Sequence, residues 1–372
     1  MILKPQRLFD GAAIREGMAV VVTGGRIDAV VAAEEVPGGT ALPGLLAPGF
    51  IDLQVNGSAG WMVDGTTDVA ALREICAAQA RLGAVGILPT LITDTPEATA
   101  QVIAAGIAAA RAGVPGFLGL HLEGPHLDPR RKGAHDAGLI RPMGEDDLAR
   151  LCAAARELPV LMLTVAPEAV TPAQIAALAA AGAIVSLGHS DCSFEVAQAA
   201  FAAGARCATH LFNAMSQIGN RAPGLAGAVL AGDCAAGLIA DGVHVHPAVM
   251  RLALAARPEG VFLVSDCMAV AGTEATEFRL GGRRILRRDG RLTLEDGTLA
   301  GADLTLPRAV RVLVEQVGVP ETRALAMASR VPAELIGMGD RFGRIAEGRR
   351  ADLVHLGADG ALAGVCLDGR WL

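Results

Sequence analysis

Eight short apolar runs recur along this chain, near residues 49–55, 84–91, 117–122, 159–165, 183–188, 206–210, 236–240 and 260–265. Between most of them lie alanine-rich segments with helical periodicity, at 68–82, 96–112, 145–157, 172–181, 193–203 and 247–256. An apolar run of strand length without polar alternation reads as a strand covered on both faces, and strands that alternate with helices form parallel sheets. Eight such units predict an α/β chain folded as a (β/α)8 TIM barrel, with its chemistry at the carboxyl ends of the strands. Thr95-Pro96 and Thr171-Pro172 place an N-cap and a first-turn proline at two helix starts.

The two ends of the chain read differently. AVVVTGGRIDAV at 19–30 is a hairpin with Gly24-Gly25 at its turn; GRIAEGRRADLVHL at 343–356 reads as strands broken at glycines, and Gly364–Leu372 as a further strand. Neither end can bury a core alone, so residues 1–47 and 342–372 are expected to combine into one small β domain beside a barrel domain over 48–341. Residues 272–303, rich in glycine and arginine, read as an excursion after strand eight, placed to act as a lid.

Composition removes several classes of function. A net charge of −7 without a basic stripe, the RRK at 130–132 standing alone, argues against a nucleic-acid partner. No tyrosine and only Trp61 and Trp371 argue against a long polysaccharide cleft lined with stacking rings. Seven scattered cysteines without CxxC spacing suit free thiols in a reducing compartment. MILKPQRLFDG lacks the apolar stretch of a signal peptide, and no apolar run has the length of a membrane helix, so a cytoplasmic protein without membrane association is expected.

Four strand ends carry chemistry. HLEGPH at 121–126 supplies Glu123, SLGHSD at 186–191 supplies His189, ATHLFNAM at 208–215 supplies His210, and VFLVSD at 261–266 ends in Asp266. A carboxylate and two imidazoles leave an open position on a zinc-like divalent ion, which acidifies water and polarises carbonyls. Each histidine alone reads as a satisfied core or turn residue; three such groups at equivalent strand ends point to a metal. Asp266 ends an apolar strand, where an uncompensated carboxylate is costly; it reads as a proton carrier, with a helix N-cap or a salt-bridge partner as the other readings. His135, in the glycine-flanked RKGAHD, would hydrogen-bond a developing oxyanion, or else is a solvated loop histidine. His121, two residues before Glu123, is expected to support it from the same face, and His126 has no assigned role.

APGFIDLQVNG at 47–57, HLEGPH, KGAH at 132–135, GHSD at 188–191, THLFNAM at 209–215, DGVH at 241–244 and SD at 265–266 stand in one order and spacing. In these motifs the chain resembles the N-acetylglucosamine-6-phosphate deacetylases of the amidohydrolase superfamily, over essentially its whole length. The resemblance implies an amidohydrolase-type barrel with a β-sandwich made by both termini. The implied reaction is metal-dependent hydrolysis of N-acetyl-D-glucosamine 6-phosphate to D-glucosamine 6-phosphate and acetate, in amino-sugar catabolism and cell-wall recycling. It further implies Glu123, His189 and His210 as metal ligands, Asp266 as general base and acid, and His135 as the group polarising the acetyl carbonyl. Ala134, Asn213, Ala214 and the segment Leu299, Ala300 and Gly301 match substrate-contacting positions. Arg221 and His244 match a phosphate-binding pair, often completed by the neighbouring subunit of a homodimer. Residues alone would leave Arg221 as a surface arginine and His246 as a competitor to His244, but an arginine fork and an imidazole both suit phosphate.

Many members of the superfamily carry His-x-His at the end of strand one, where Gln54-Val55-Asn56 stands here. An amide is a poorer ligand than imidazole, so one divalent ion per subunit is expected, zinc first, with iron, cobalt or manganese compatible and a second site weak or absent. The competing readings are an N-acetylgalactosamine-6-phosphate deacetylase, another amide hydrolase of the superfamily, and a catalytically inactive barrel retained as a binding module.

Overall fold

A computed structural model describes residues 1–372. Eight parallel strands form the barrel: Phe50–Val55, Ala84–Ile92, Leu120–Glu123, Leu161–Val165, Ile184–Leu187, Cys207–Ala208, Ala235–Leu238 and Val261–Leu263. Each pairs with its sequence neighbour, so the expected order of strands is the observed one. The six expected helices are present as Val69–Arg81, Pro96–Arg111, Glu145–Glu157, Pro172–Ala180, Phe194–Ala202 and Pro247–Ala256. Thr95 and Thr171 cap two of them, accepting hydrogen bonds from Ala98 N and Gln174 N.

The helix Gly224–Ala231 was not legible from periodicity. It is built from small and apolar residues and is buried from Gly224 to Val229, so no polar face marks its turn. Three further helices, Leu306–Val312, Glu321–Ala328 and Arg330–Leu335, complete the shell after strand eight.

The two ends of the chain meet in one sheet. Leu353–Leu356 pairs antiparallel with Thr40–Pro48, which joins the C-terminal strands Leu362–Leu367 and Arg370–Trp371 to the N-terminal ones. Gly24 and Gly25, at φ +56° and +81°, make the expected hairpin turn. Residues 343–352 form no strand, contrary to expectation. Gly343 and Gly348 break the run at φ +81° and +79°, and Gly348 and Arg349 instead bond the far edge of the same sheet, Gly348 N to Ile27 O and Ile27 N to Arg349 O. The sheet thus curls around its own ten-residue core, separate from the 88 buried residues that fill the barrel and its helix shell. The excursion after strand eight is a four-stranded antiparallel sheet, Glu277–Leu280, Arg283–Arg288, Arg291–Leu294 and Leu299–Ala302. Its apolar face packs Leu280, Ile285, Leu292 and Ala300 on Met268 and Val270, with Ile92 and Ala134 against the same cluster.

Strands one and eight share no regular ladder. The barrel is closed there by Asp266 N donating to Gln54 O at 3.0 Å, Asn56 N donating to Cys267 O at 2.9 Å, and the Asp52 carboxylate accepting from Ser265 N at 3.1 and 3.2 Å. Burial pushes Asp52 up to about 7, and hydrogen bonds from Ser265 and Gln54 offset this only in part. Between about pH 4 and pH 7 the folded chain therefore holds a proton that the unfolded chain has released, and stability falls as pH rises, by at most about 1.4 kcal/mol per pH unit. We expect Asp52→Asn to flatten this dependence; thermal melts from pH 5 to 7 with equal slopes for parent and variant would contradict it.

Candidate metal centre and active site

Glu123 is the last residue of strand three, while His189 and His210 each lie two residues beyond strands five and six. Four site residues other than glycine hold left-handed backbones, His189 at φ +47°, His210 at +29°, Ala214 at +47° and Asp266 at +50°. This region is sparsely populated by residues with a side chain, and its recurrence at functional positions reflects side chains aimed by their surroundings. At His189 the restraint is visible: its O accepts from Asp128 N at 2.9 Å and its Nδ1 donates to Arg131 O at 2.8 Å.

The three side chains converge. His189 Nε2 and His210 Nε2 lie 3.2 and 3.0 Å from Glu123 Oε1 and 3.2 Å from each other. All three groups are buried. A carbonyl only accepts, so the Arg131 bond puts the proton of a neutral His189 on Nδ1 and turns the Nε2 lone pair to the centre. His210 Nδ1 is buried without a partner, so Nε2 is the atom that ring presents. Three lone-pair atoms packed this closely do not satisfy one another by hydrogen bonding, whereas one carboxylate and two imidazoles match the donor set of a catalytic divalent ion. The residues fit the group. Burial alone would raise the Glu123 pKa; without an ion, only protonated His189 and His210 donating to it would hold it well below the usual carboxylate range.

Asp266 stands beside this cluster on the barrel seam. Asn56 Nδ2 donates to its Oδ1 at 2.7 Å, and Gln54 Nε2 at 3.2 Å; the same Gln54 nitrogen lies 3.2 Å from Glu123 Oε1. Both bonds fall on Oδ1, leaving Oδ2 for a proton. Burial, then the Glu123 charge, push Asp266 up to about 6, close to the working range of a proton carrier. Since its nitrogen faces a carboxylate, the Asn56 amide presents Oδ1, a buried acceptor without a partner.

A cavity of about 370 Å³ opens over these groups, lined by Glu123, His189, His210, Asp266, His135 and Asn56, and by the expected Ala134, Asn213, Ala214, His244, Leu299 and Gly301. Ala300 alternates away from it and packs into the core of the four-stranded sheet. Arg221 is exposed in the loop before helix Gly224–Ala231 and does not line the cavity of its own chain. Burial above all lowers His135 to about 3, so it is a neutral ring.

Several partners were missed from sequence. Asp241 Oδ2 lies 2.6 Å from His244 Nδ1, and His244, not His246, lines the cavity; the aspartate of DGVH was the available signal for this partner. His246 instead caps helix Pro247–Ala256. Thr93, the residue after strand two, meets His135 Nδ1 and carried no signal beyond its place at a strand end. His121, expected to support Glu123, bonds Thr164 at 2.7 Å and Thr90 at 3.3 Å instead. Two residues back along strand three, it belongs to the layer of side chains below the mouth, where burial lowers it to about 4.

Comparison with known proteins agrees with this geometry. The pattern of the amidohydrolase family matches residues 45–372. An N-acetylgalactosamine-6-phosphate deacetylase of Shewanella sp. is 39% identical over 88% of this chain and 83% of its own. An N-acetylglucosamine-6-phosphate deacetylase of Haemophilus influenzae is 34% identical over 95% of this chain and 94% of its own. The crystal structure of N-acetylglucosamine-6-phosphate deacetylase from Pasteurella multocida superposes with a TM-score of 0.95 at 34% identity, covering 100% of this chain and 99% of that one. On these matches the chain belongs to the amidohydrolase family, in its branch of N-acetylglucosamine-6-phosphate deacetylases.

Proposed function

We propose that this chain hydrolyses N-acetyl-D-glucosamine 6-phosphate to D-glucosamine 6-phosphate and acetate, in the turnover of amino sugars. The observation that carries this reading is the meeting of Glu123, His189 and His210 beside Asp266 in a cavity that also presents His135 and His244. Glu123, His189 and His210 would hold one divalent ion, zinc before iron, cobalt or manganese. When bound, it supplies Lewis acidity toward a carbonyl oxygen and toward water. A second strong site is not expected, because the amide nitrogens of Gln54 and Asn56 are turned to carboxylates.

The protein's own groups account for the proton movements. Asp266 Oδ2 takes a proton from water as its oxygen bonds to the acetyl carbon. His135 donates a hydrogen bond to the carbonyl oxygen as that oxygen gains charge. Asp266 then returns the proton to the amide nitrogen as the C–N bond breaks, releasing the amine and acetate. Asn56 holds Asp266 by Oδ1 throughout, which keeps the reacting oxygen free.

For the phosphate, Asp241 accepts from His244 Nδ1 and so orients the ring with its Nε2 edge toward the cavity, where a phosphate oxygen would lie. Arg221, outside the cavity of its own chain, suits a homodimer in which it serves the neighbouring subunit. Ala134, Asn213, Ala214, Leu299 and Gly301 would contact the sugar, and Ala300 only through its backbone. We read the curled terminal sheet as a small β-sandwich domain over 1–47 and 342–372, with 48–341 as the catalytic barrel and 272–303 as its lid. Seven free cysteines support a cytoplasmic setting, and no helix is long and apolar enough to cross a membrane. The Shewanella relative favours, as a second reading, the galacto epimer as substrate.

Asp266→Asn is expected to lower turnover by roughly 10²- to 10⁴-fold while metal content stays at the parent level; near-parental turnover would defeat the proton-carrier role. Acetate release should be faster from N-acetylglucosamine 6-phosphate than from its galacto epimer, and far faster than from unphosphorylated N-acetylglucosamine. A faster galacto epimer would establish the second reading. Equal rates with and without phosphate would defeat the roles given to Arg221 and His244.

A further inference from the structure

His135 acts on a carbonyl oxygen only if the nitrogen turned to the cavity carries a proton. Neutral imidazole has one N–H, and which nitrogen holds it depends on the partner of the other. His135 Nε2 is on the cavity side, 3.7 Å from Glu123 Oε2. Nδ1 faces Thr93, whose backbone N lies 3.3 Å away and whose Oγ1 lies 2.7 Å away.

These two contacts differ in what they permit. The Thr93 hydroxyl can donate or accept. The backbone N–H can only donate, and its direction is set by the chain. A proton on Nδ1 would point at that N–H, so Nδ1 accepts, the hydroxyl turns its one proton to it at 2.7 Å and not to Glu123 O at 3.5 Å, and the ring proton is left on Nε2. Thr93 itself is wedged in place. It is 5% exposed, and a Cβ on Gly124, which stands at φ +88°, would lie 2.2 Å from Thr93 Oγ1. The glycine after Glu123 thus leaves the space that the threonine hydroxyl fills.

We propose that Thr93 is a positioning residue for deacetylation: its backbone N–H and hydroxyl hold His135 in the Nε2–H tautomer and aim that proton at the carbonyl oxygen. Strand two, which ends one residue before Thr93, gives no ligand to the metal centre; it lines the cavity with Ile92, and Thr93 adds this restraint on a ring from the loop after strand three. The inference rests on the role given to His135 under the deacetylase reading.

The test is spectroscopic and kinetic. Two-bond ¹H–¹⁵N correlation spectra of the zinc-loaded protein with ¹⁵N-labelled histidine distinguish a protonated from an unprotonated ring nitrogen, and His135→Gln identifies the signals by their loss. We expect His135 to show an unprotonated Nδ1 and a protonated Nε2. Thr93→Val removes the hydroxyl and keeps the backbone donor, and should lower kcat about five- to tenfold, the effect of one neutral hydrogen bond, with KM within about twofold. Thr93→Ser should restore kcat. A protonated Nδ1 in the parent protein, an unchanged kcat in Thr93→Val, or a Thr93→Ser as slow as Thr93→Val would each overturn the inference. The parent spectrum decides the matter even where Thr93→Val does not fold. Acetate release by the parent together with a protonated Nδ1 counts against Thr93 alone, whereas no acetate release by the parent counts against the deacetylase reading.

Discussion

The Glu123 carboxylate, buried at the mouth of the barrel, is the constraint around which the site is arranged. An ionised carboxylate removed from water is costly unless opposite charge and hydrogen-bond donors surround it. Gln54 gives one donor, and the two imidazoles face it with the nitrogens that also face each other. His189 has already directed its Nδ1 proton to Arg131 O, so as a neutral ring it has none left for Glu123. A divalent cation among the three atoms would balance the carboxylate and satisfy both lone pairs at once, which is the simplest account of why a barrel tolerates this cluster in its interior.

The seam between strands one and eight does the second part of the work. The absence of a continuous ladder lets the chain after strand eight turn through a left-handed residue, and that residue is Asp266. The backbone bonds that close the seam, Asp266 N to Gln54 O and Asn56 N to Cys267 O, are made by the same residues whose side chains meet in the site. Closure of the barrel and placement of the Asp266 side chain are therefore one structural event.

The barrel was legible because its strands are continuous apolar runs and its helices are marked by caps such as Thr95 and Thr171. The strand-end residues Glu123, His189, His210 and Asp266 were legible from the same pattern, since a polar group that ends a buried strand has few structural uses. What escaped has specific causes. Helix Gly224–Ala231 is buried on every side and shows no polar period. The segment 343–352 has strand-like residues but turns at two glycines with positive φ to bond across the sheet. Asp241 and Thr93 act on the far side of an imidazole, and such a partner is defined by three-dimensional approach more than by spacing in the chain. Arg221 was named from resemblance, and the fold of one chain leaves it outside the cavity.

The central claim, that Glu123, His189 and His210 hold one catalytic ion, is tested most directly by metal content. Inductively coupled plasma mass spectrometry on the parent protein and on Glu123→Gln, each shown folded by circular dichroism, should find about one divalent ion per parent chain and little in the variant. A folded Glu123→Gln that retains one ion per chain, or a parent protein that deacetylates at full rate after exhaustive chelation, would contradict it.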